Sequence, residues 1–277
     1  MKVIDCSRCE GDHLALNEKG TTLRTMPVFP SADAYKRFAR KAKGPHRFIR
    51  DTEDQGFFAA LLQQARTDDR RQVLTREFPL WRAQLGHCWE KRYIDGEDIG
   101  NHPCPYSRER MKPLRDRARE NRANPKGIPF LYLSNHKETA MSEVRPWLGS
   151  LISLARFQPV RDLTIVNCWT DDDPPKFRVL TNPPYKIFRP EDQDRVVWHD
   201  IDQAFSEPVT SNDDLSNYAP TQIIAELFRA HEFDGIAYRS AFGKGHNIAL
   251  FDLDAVEVVR RALYKVENIE LIESCTR

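Results

Sequence analysis

Polar and apolar positions follow two different rhythms along this chain. Over the first 70 or so residues, charged stretches run into apolar ones as they do at helix ends. Tyr35-Lys-Arg-Phe-Ala-Arg-Lys-Ala-Lys43 concentrates basic side chains and meets Gly44-Pro45, where a helix stops. Asp51-Thr-Glu-Asp54 supplies an acidic first turn ahead of Phe57-Phe-Ala-Ala-Leu-Leu62, a charge placement that suits a helix N-terminus. With Gly20, Pro27 and Pro30 as punctuation, residues 1–74 read as a small, mainly helical N-terminal module.

Further along, short apolar blocks alternate with helical stretches. Gly127-Ile-Pro-Phe-Leu-Tyr-Leu133 reads as a strand, followed by Ser134 or Asn135 as N-cap of a helix over His136–Arg145 that Pro146 stops. Ser150–Phe157 and Asp162–Cys168 are strand-like, and Thr170–Pro190, rich in Asp and Pro, reads as a long loop. A helix starts at Tyr218-Ala-Pro-Thr-Gln, with Pro220 in its first turn, and runs to about His231. Gly235–Ser240 and Asn247–Phe251 give two more strands around a Gly243-Lys-Gly245 turn. The irregular alternation predicts an α+β fold with a mixed or antiparallel sheet. The expected division is a module over 1–74, a main domain over 75–262 and an extension over 263–277.

Composition narrows the function classes. Lys+Arg number 42 against 41 Asp+Glu, a net charge of +1, which removes any global electrostatic drive toward nucleic acid or membrane surfaces. No apolar run approaches the ~20 residues of a membrane helix, and Met1-Lys-Val-Ile-Asp-Cys lacks the apolar core of a secretory signal. Six cysteines at 6, 9, 88, 104, 168 and 275 then read as reduced thiols of a cytoplasmic protein. Cys6-Ser-Arg-Cys9 has half of a zinc pattern, with His13, His87, Cys88, His102 and Cys104 as candidates to close it. No second Cys-x-x-Cys follows, so the reading favours unliganded thiols and no metal.

No Gly-x-Gly-x-x-Gly, His-Glu-x-x-His or Gly-x-Ser-x-Gly occurs, which weakens dinucleotide-fold, zinc-protease and α/β-hydrolase readings. Arg108–Lys126 carries eight basic residues against three acidic ones. The balanced overall charge favours a solvated helix with internal ion pairs over a phosphate-backbone contact.

The segments Leu80-Trp-Arg-Ala-Gln-Leu-Gly86, Asn121-Arg-Ala-Asn-Pro-Lys-Gly-Ile-Pro-Phe-Leu-Tyr-Leu133 and Glu138-Thr-Ala-Met-Ser-Glu-Val-Arg-Pro146 come in a telling order. Tyr218-Ala-Pro-Thr-Gln-Ile-Ile-Ala-Glu226, Phe233-Asp-Gly-Ile-Ala-Tyr-Arg-Ser240 and Gly245-His-Asn-Ile-Ala-Leu-Phe251 follow them. Together they resemble the RES-domain family, named for its Arg, Glu and Ser, over roughly residues 75 to 260. Ala83 and Asn121 stand where the family often has an aromatic residue and a glycine. The resemblance implies a fold similar to ADP-ribosyltransferase-type toxins and an enzyme that degrades NAD⁺, typically a bacterial toxin held by an inhibitory antitoxin. It implies Arg82, Glu143 and Ser240 as catalytic residues, with Arg122, Tyr132 and Asn247 binding substrate.

The chemistry suits these residue types. Nicotinamide leaves NAD⁺ neutral, so its departure needs no general acid. A carboxylate such as Glu143 beside the developing ribosyl cation helps, as in glycoside cleavage. Arg82 and Arg122 would present planar cations to pyrophosphate or an attacking phosphate. Tyr132 would stack on nicotinamide, and Ser240 would bond the amide or ribose; Gln222 and Tyr218 could fix the neighbouring loop. The expected reaction is phosphorolysis, with inorganic phosphate as co-substrate and no resident cofactor. Protein ADP-ribosylation and hydrolysis are the alternatives within the class. A zinc-carrying nucleic-acid module built on Cys6, Cys9 and the basic run is the alternative outside it. Oligomeric state stays open.

Overall fold

A computed structural model describes residues 28–44, 47–115, 117–170, 190–207 and 215–269, plus the backbone of two short strand pairs. Those pairs are β1 (Ala15–Leu16) with β2 (Thr22–Leu23), and β10 (Arg178–Val179) with β11 (Lys186–Ile187). Cys6, Cys9 and most of the expected 170–190 loop lie outside the described residues.

The architecture is α+β around one eight-stranded sheet. Its strands are β3 (Arg71–Leu74), β4 (Leu80–Leu85), β7 (Leu131–Ser134), β8 (Leu151–Pro159), β9 (Leu163–Asn167), β12 (Gly235–Arg239), β13 (His246–Leu250) and β14 (Val256–Lys265). They lie in the order β14-β8-β4-β7-β13-β12-β9-β3, with every neighbour antiparallel except the parallel pair β12 and β9. A separate hairpin, β5 (Cys88–Ile94) and β6 (Glu97–Cys104), follows directly from β4.

Alternation along the strands builds a core on each face. On β12, Ile236 and Tyr238 join the helix-side cluster while Ala237 joins the opposite one with Ile165, Ile248 and Leu250. The helix side is covered by α1 (Ala34–Lys43), α2 (Thr52–Ala65), α4 (Pro190–Ser206) and α5 (Ala219–Ala230). Helix α1 buries Tyr35, Phe38, Ala39 and Ala42 at helical spacing and ends at Gly44; α2 begins where the Asp51 side chain accepts from the Asp54 amide at 2.9 Å. Their Phe38 and Phe57 share a cluster with Trp198, Phe205 and Phe228 from α4 and α5, so these helices and the sheet bury one apolar layer together. No helix among the described residues is long and apolar enough to cross a membrane.

Three expectations are corrected. The strand expected over 127–133 is confined to β7, because Gly127 takes φ +88° and Pro129 cannot donate to a ladder. Helix α3 (Lys137–Glu143) is capped at His136 rather than Ser134 or Asn135, whose side chains instead bond His246 across to β13 at 3.1 and 2.8 Å. The basic run 108–126 forms turns rather than a solvated helix, since Pro113 and Pro125 interrupt it and its cations brace the fold. Arg108 donates to the Val258 carbonyl, Lys112 to that of Leu253 and Arg122 to that of Phe205.

Candidate active site

The sheet's centre opens on a cleft of about 280 Å³. Arg82, Arg122, Tyr132, Glu143 and Asn247 line it, and Ser240 bonds to Glu143 from its edge. All six residues expected from the sequence therefore meet: Arg82, Tyr132 and Asn247 from three strands, Glu143 from the end of a helix, Ser240 just past β12, and Arg122 from the 120–124 loop.

Glu143 is the last residue of α3, which lies against β4 where Ala140 and Ala83 bury together. Small side chains at both positions let the helix end approach the strand that carries Arg82. Glu143 Oε1 accepts from Ser240 Oγ at 2.7 Å and from Asn247 Nδ2 at 2.5 Å. Both donors are nearly buried, and both stand on the β12–β13 hairpin, where Tyr238 pairs with Asn247.

The Gly243-Lys-Gly245 turn sets that register against α3. A Cβ on Gly245 would sit 2.6 Å from both Asn135 Oδ1 and His136 Cδ2, in a backbone with φ +133°. A Cβ on Gly243 would meet Thr139 Oγ1 at 2.8 Å, and that hydroxyl donates to the Lys244 carbonyl. Glycine is what lets the turn sit on the start of α3. Behind β12, the fully buried Asp202 accepts from the Arg239 amide at 3.0 Å and fixes the strand end just before Ser240.

The cations are held differently. Arg82 donates to the Met111 carbonyl at 3.1 Å, and among the described residues no carboxylate pairs with it. Burial, and then Arg110 nearby, push its guanidinium down to about 10, so it stays charged at neutral pH. Arg122 spends one nitrogen on the Phe205 carbonyl at 2.6 Å. Its loop is clamped by Gln222, which donates to the carbonyls of Asn121 and Asn124, so Gln222 acts behind the site rather than in it. Tyr218 serves as N-cap residue of α5.

Tyr132 lines the cleft with its hydroxyl fixed: it donates to Asn124 Oδ1 at 2.7 Å and accepts from the Ala123 amide. Burial raises Tyr132 and Tyr238 well above the usual phenol range, so both rings stay neutral. Trp81, Ser134 and Tyr238 also line the cleft and escaped the sequence reading. Asn121, noted there only for its place in the family pattern, is a lining residue too. Only strand pairing signals them: Trp81 lies opposite Ser134, which lies opposite Asn247. A second cleft of about 660 Å³ shares Arg82, Asn121 and Tyr132 with the first and adds Arg110, Arg117 and Arg119.

The arrangement offers a carboxylate with two neutral donors fixed on one oxygen, in a cleft also lined by two half-buried guanidinium groups that backbone carbonyls hold. It suits a ligand with a developing cation at one end and phosphates at the other.

Comparison with known proteins adds a family. The RES domain profile matches residues 99–271, leaving β4 and Arg82 ahead of the match although the sheet sets β4 between β8 and β7. No curated protein matches the sequence. A chain from the crystal structure of the M. tuberculosis MbcT-MbcA toxin-antitoxin complex is similar at 13% identity and TM-score 0.36, over 69% of this chain and 86% of that one.

Proposed function

The chain belongs to the RES domain family, and from that premise we propose that it cleaves NAD⁺ at the nicotinamide–ribose bond, with inorganic phosphate as acceptor. The observation that carries this reading is the Glu143 carboxylate, held by Ser240 and Asn247 in a cleft that Arg82 and Arg122 also line.

In this reading nicotinamide ribose occupies the smaller cleft, with Tyr132 against the ring. The pyrophosphate and adenosine extend into the arginine-rich one. As the bond from the ribose anomeric carbon to nitrogen breaks, its electron pair leaves with nicotinamide, which departs neutral. Positive charge grows on the ribose, and Glu143 stabilises it from a fixed position. Ser240 and Asn247 keep that carboxylate oriented; Ser240 is a donor here, not a nucleophile. A phosphate oxygen held by arginine then bonds the anomeric carbon, giving ADP-ribose 1″-phosphate. Unrestrained, such an enzyme drains the cell's NAD⁺, so the proposal includes a toxin role with an inhibitory protein partner.

Mass spectrometry of NAD⁺ incubated with the purified chain, with and without phosphate, tests the acceptor. ADP-ribose 1″-phosphate formed only with phosphate is the expected result. Free ADP-ribose in equal yield under both conditions overturns phosphorolysis in favour of hydrolysis.

A further inference from the structure

Outside the cleft, the β5–β6 hairpin presents a second concentration of chemistry. Cys88 and Cys104 face each other in register where the hairpin leaves the main fold, and their sulfurs lie 2.7 Å apart. Facing at that distance, the two sulfurs can act together on one ion. A carboxylate joins them: the ligand atoms of Cys88, Glu90 and Cys104 all lie within 4.8 Å of one another.

We propose that Cys88, Cys104 and Glu90 are ligands of a zinc ion that staples the base of the β5–β6 hairpin. Zn²⁺ takes thiolate and carboxylate donors together, at about 2.3 Å to sulfur and about 2.0–2.2 Å to oxygen. Tetrahedral bonds of that length set two sulfurs about 3.8 Å apart. The pair needs to open by only about 1 Å, within reach of side-chain rotation on facing residues. A divalent cation placed among the three groups uses all three donors.

The hairpin also needs a staple. Nearly all of its residues are half-exposed or exposed, including Trp89, Tyr93, Ile94 and Ile99, so it has almost no core of its own. An isolated two-stranded hairpin is marginal in water. The cysteines stand at its anchored end, next to Tyr106, whose amide is tied to Ser153 and whose carbonyl accepts from Arg261.

The test is metal content of the full chain, purified in a phosphine reductant without chelator and measured by inductively coupled plasma mass spectrometry. About one equivalent of zinc is expected, falling at least tenfold in the Cys88→Ser/Cys104→Ser variant. No zinc in the wild type after incubation with Zn²⁺, or full zinc in the variant, overturns the proposal. Cys6→Ser/Cys9→Ser is the control that locates the metal: it should keep its zinc, and loss of zinc in that variant as well overturns the proposed ligand set. If that variant fails to fold, alkylation and peptide mapping of the wild type decide the matter. Protection of Cys88 and Cys104 that a chelator removes supports zinc. Protection that only a reductant removes means a disulfide and refutes it.

Discussion

Replacing Glu143 with glutamine removes the charge while keeping an oxygen where Ser240 and Asn247 donate. Glu143 Oε1 accepts bonds of 2.7 and 2.5 Å, and both donors can bond the amide carbonyl of Gln. Bonds to a neutral acceptor are weaker than bonds to a carboxylate by about 1 kcal/mol each, so the fold loses about 1–2 kcal/mol. For a chain of this size that is a fall in Tm of a few degrees, on the order of 2–4 °C per kcal/mol. The reaction loses more. A unit charge about 4 Å from a developing ribosyl cation contributes about 4 kcal/mol at an effective dielectric constant near 20. That corresponds to a fall in kcat of about 10³-fold. The substrate carries its charge on nicotinamide and phosphates in the ground state, so KM should move by less than about threefold. Nicotinamide release followed by chromatography, beside a thermal melt, reads both effects. Wild-type kcat in a folded Glu143→Gln protein would refute the reasoning, and so would a loss confined to KM.

Further predictions separate charge from shape. Arg82 is a half-buried cation, and among the described residues no carboxylate pairs with it. Its lowered ionisation costs stability at every pH below about 10, and the cost is relieved only as pH rises from there toward the ordinary guanidinium range. Arg82→Met should therefore raise Tm by a few degrees while lowering activity about 10²-fold or more, and inorganic phosphate should stabilise the wild type but not the variant in melts. Gly245→Ala places a Cβ 2.6 Å from Asn135 and His136 at φ +133°. It should cost about 1–3 kcal/mol in chemical denaturation and lower kcat by moving Asn247. Asn247→Asp sets a second carboxylate on Glu143 at hydrogen-bond distance. One of the two should then hold a proton at neutral pH, so activity should be depressed at pH 6 and recover as pH rises, seen as a shifted pH–rate profile.

Much of the fold was legible because the local signals agreed with the tertiary outcome. The Gly44 stop, the acidic opening of α2 and the alternating blocks of β8, β9, β12 and β13 each survive in the structure. Helix α4 stayed unread although Val197, Trp198, Ile201 and Phe205 are spaced for one buried face, because so many charged residues separate them. The basic run misled for a related reason: charge composition describes a solvated helix and a set of internal struts equally well. Only the tertiary carbonyls that Arg108, Lys112 and Arg122 reach distinguish the two. The site was legible through the family resemblance alone. Glu143, Ser240 and Asn247 are far apart in the chain, and nothing local tells a helix-end glutamate on the surface from one held by two buried donors. Trp81 and Tyr238 needed the sheet register as well.

The central claim is that the cleft around Glu143 cleaves NAD⁺, and nicotinamide release by the purified chain tests it most directly. With phosphate present, the wild type should release nicotinamide in multiple turnovers while Glu143→Ala is slower by about 10³-fold or more. Intact NAD⁺ after incubation with a stoichiometric amount of folded wild-type protein and phosphate would contradict the account.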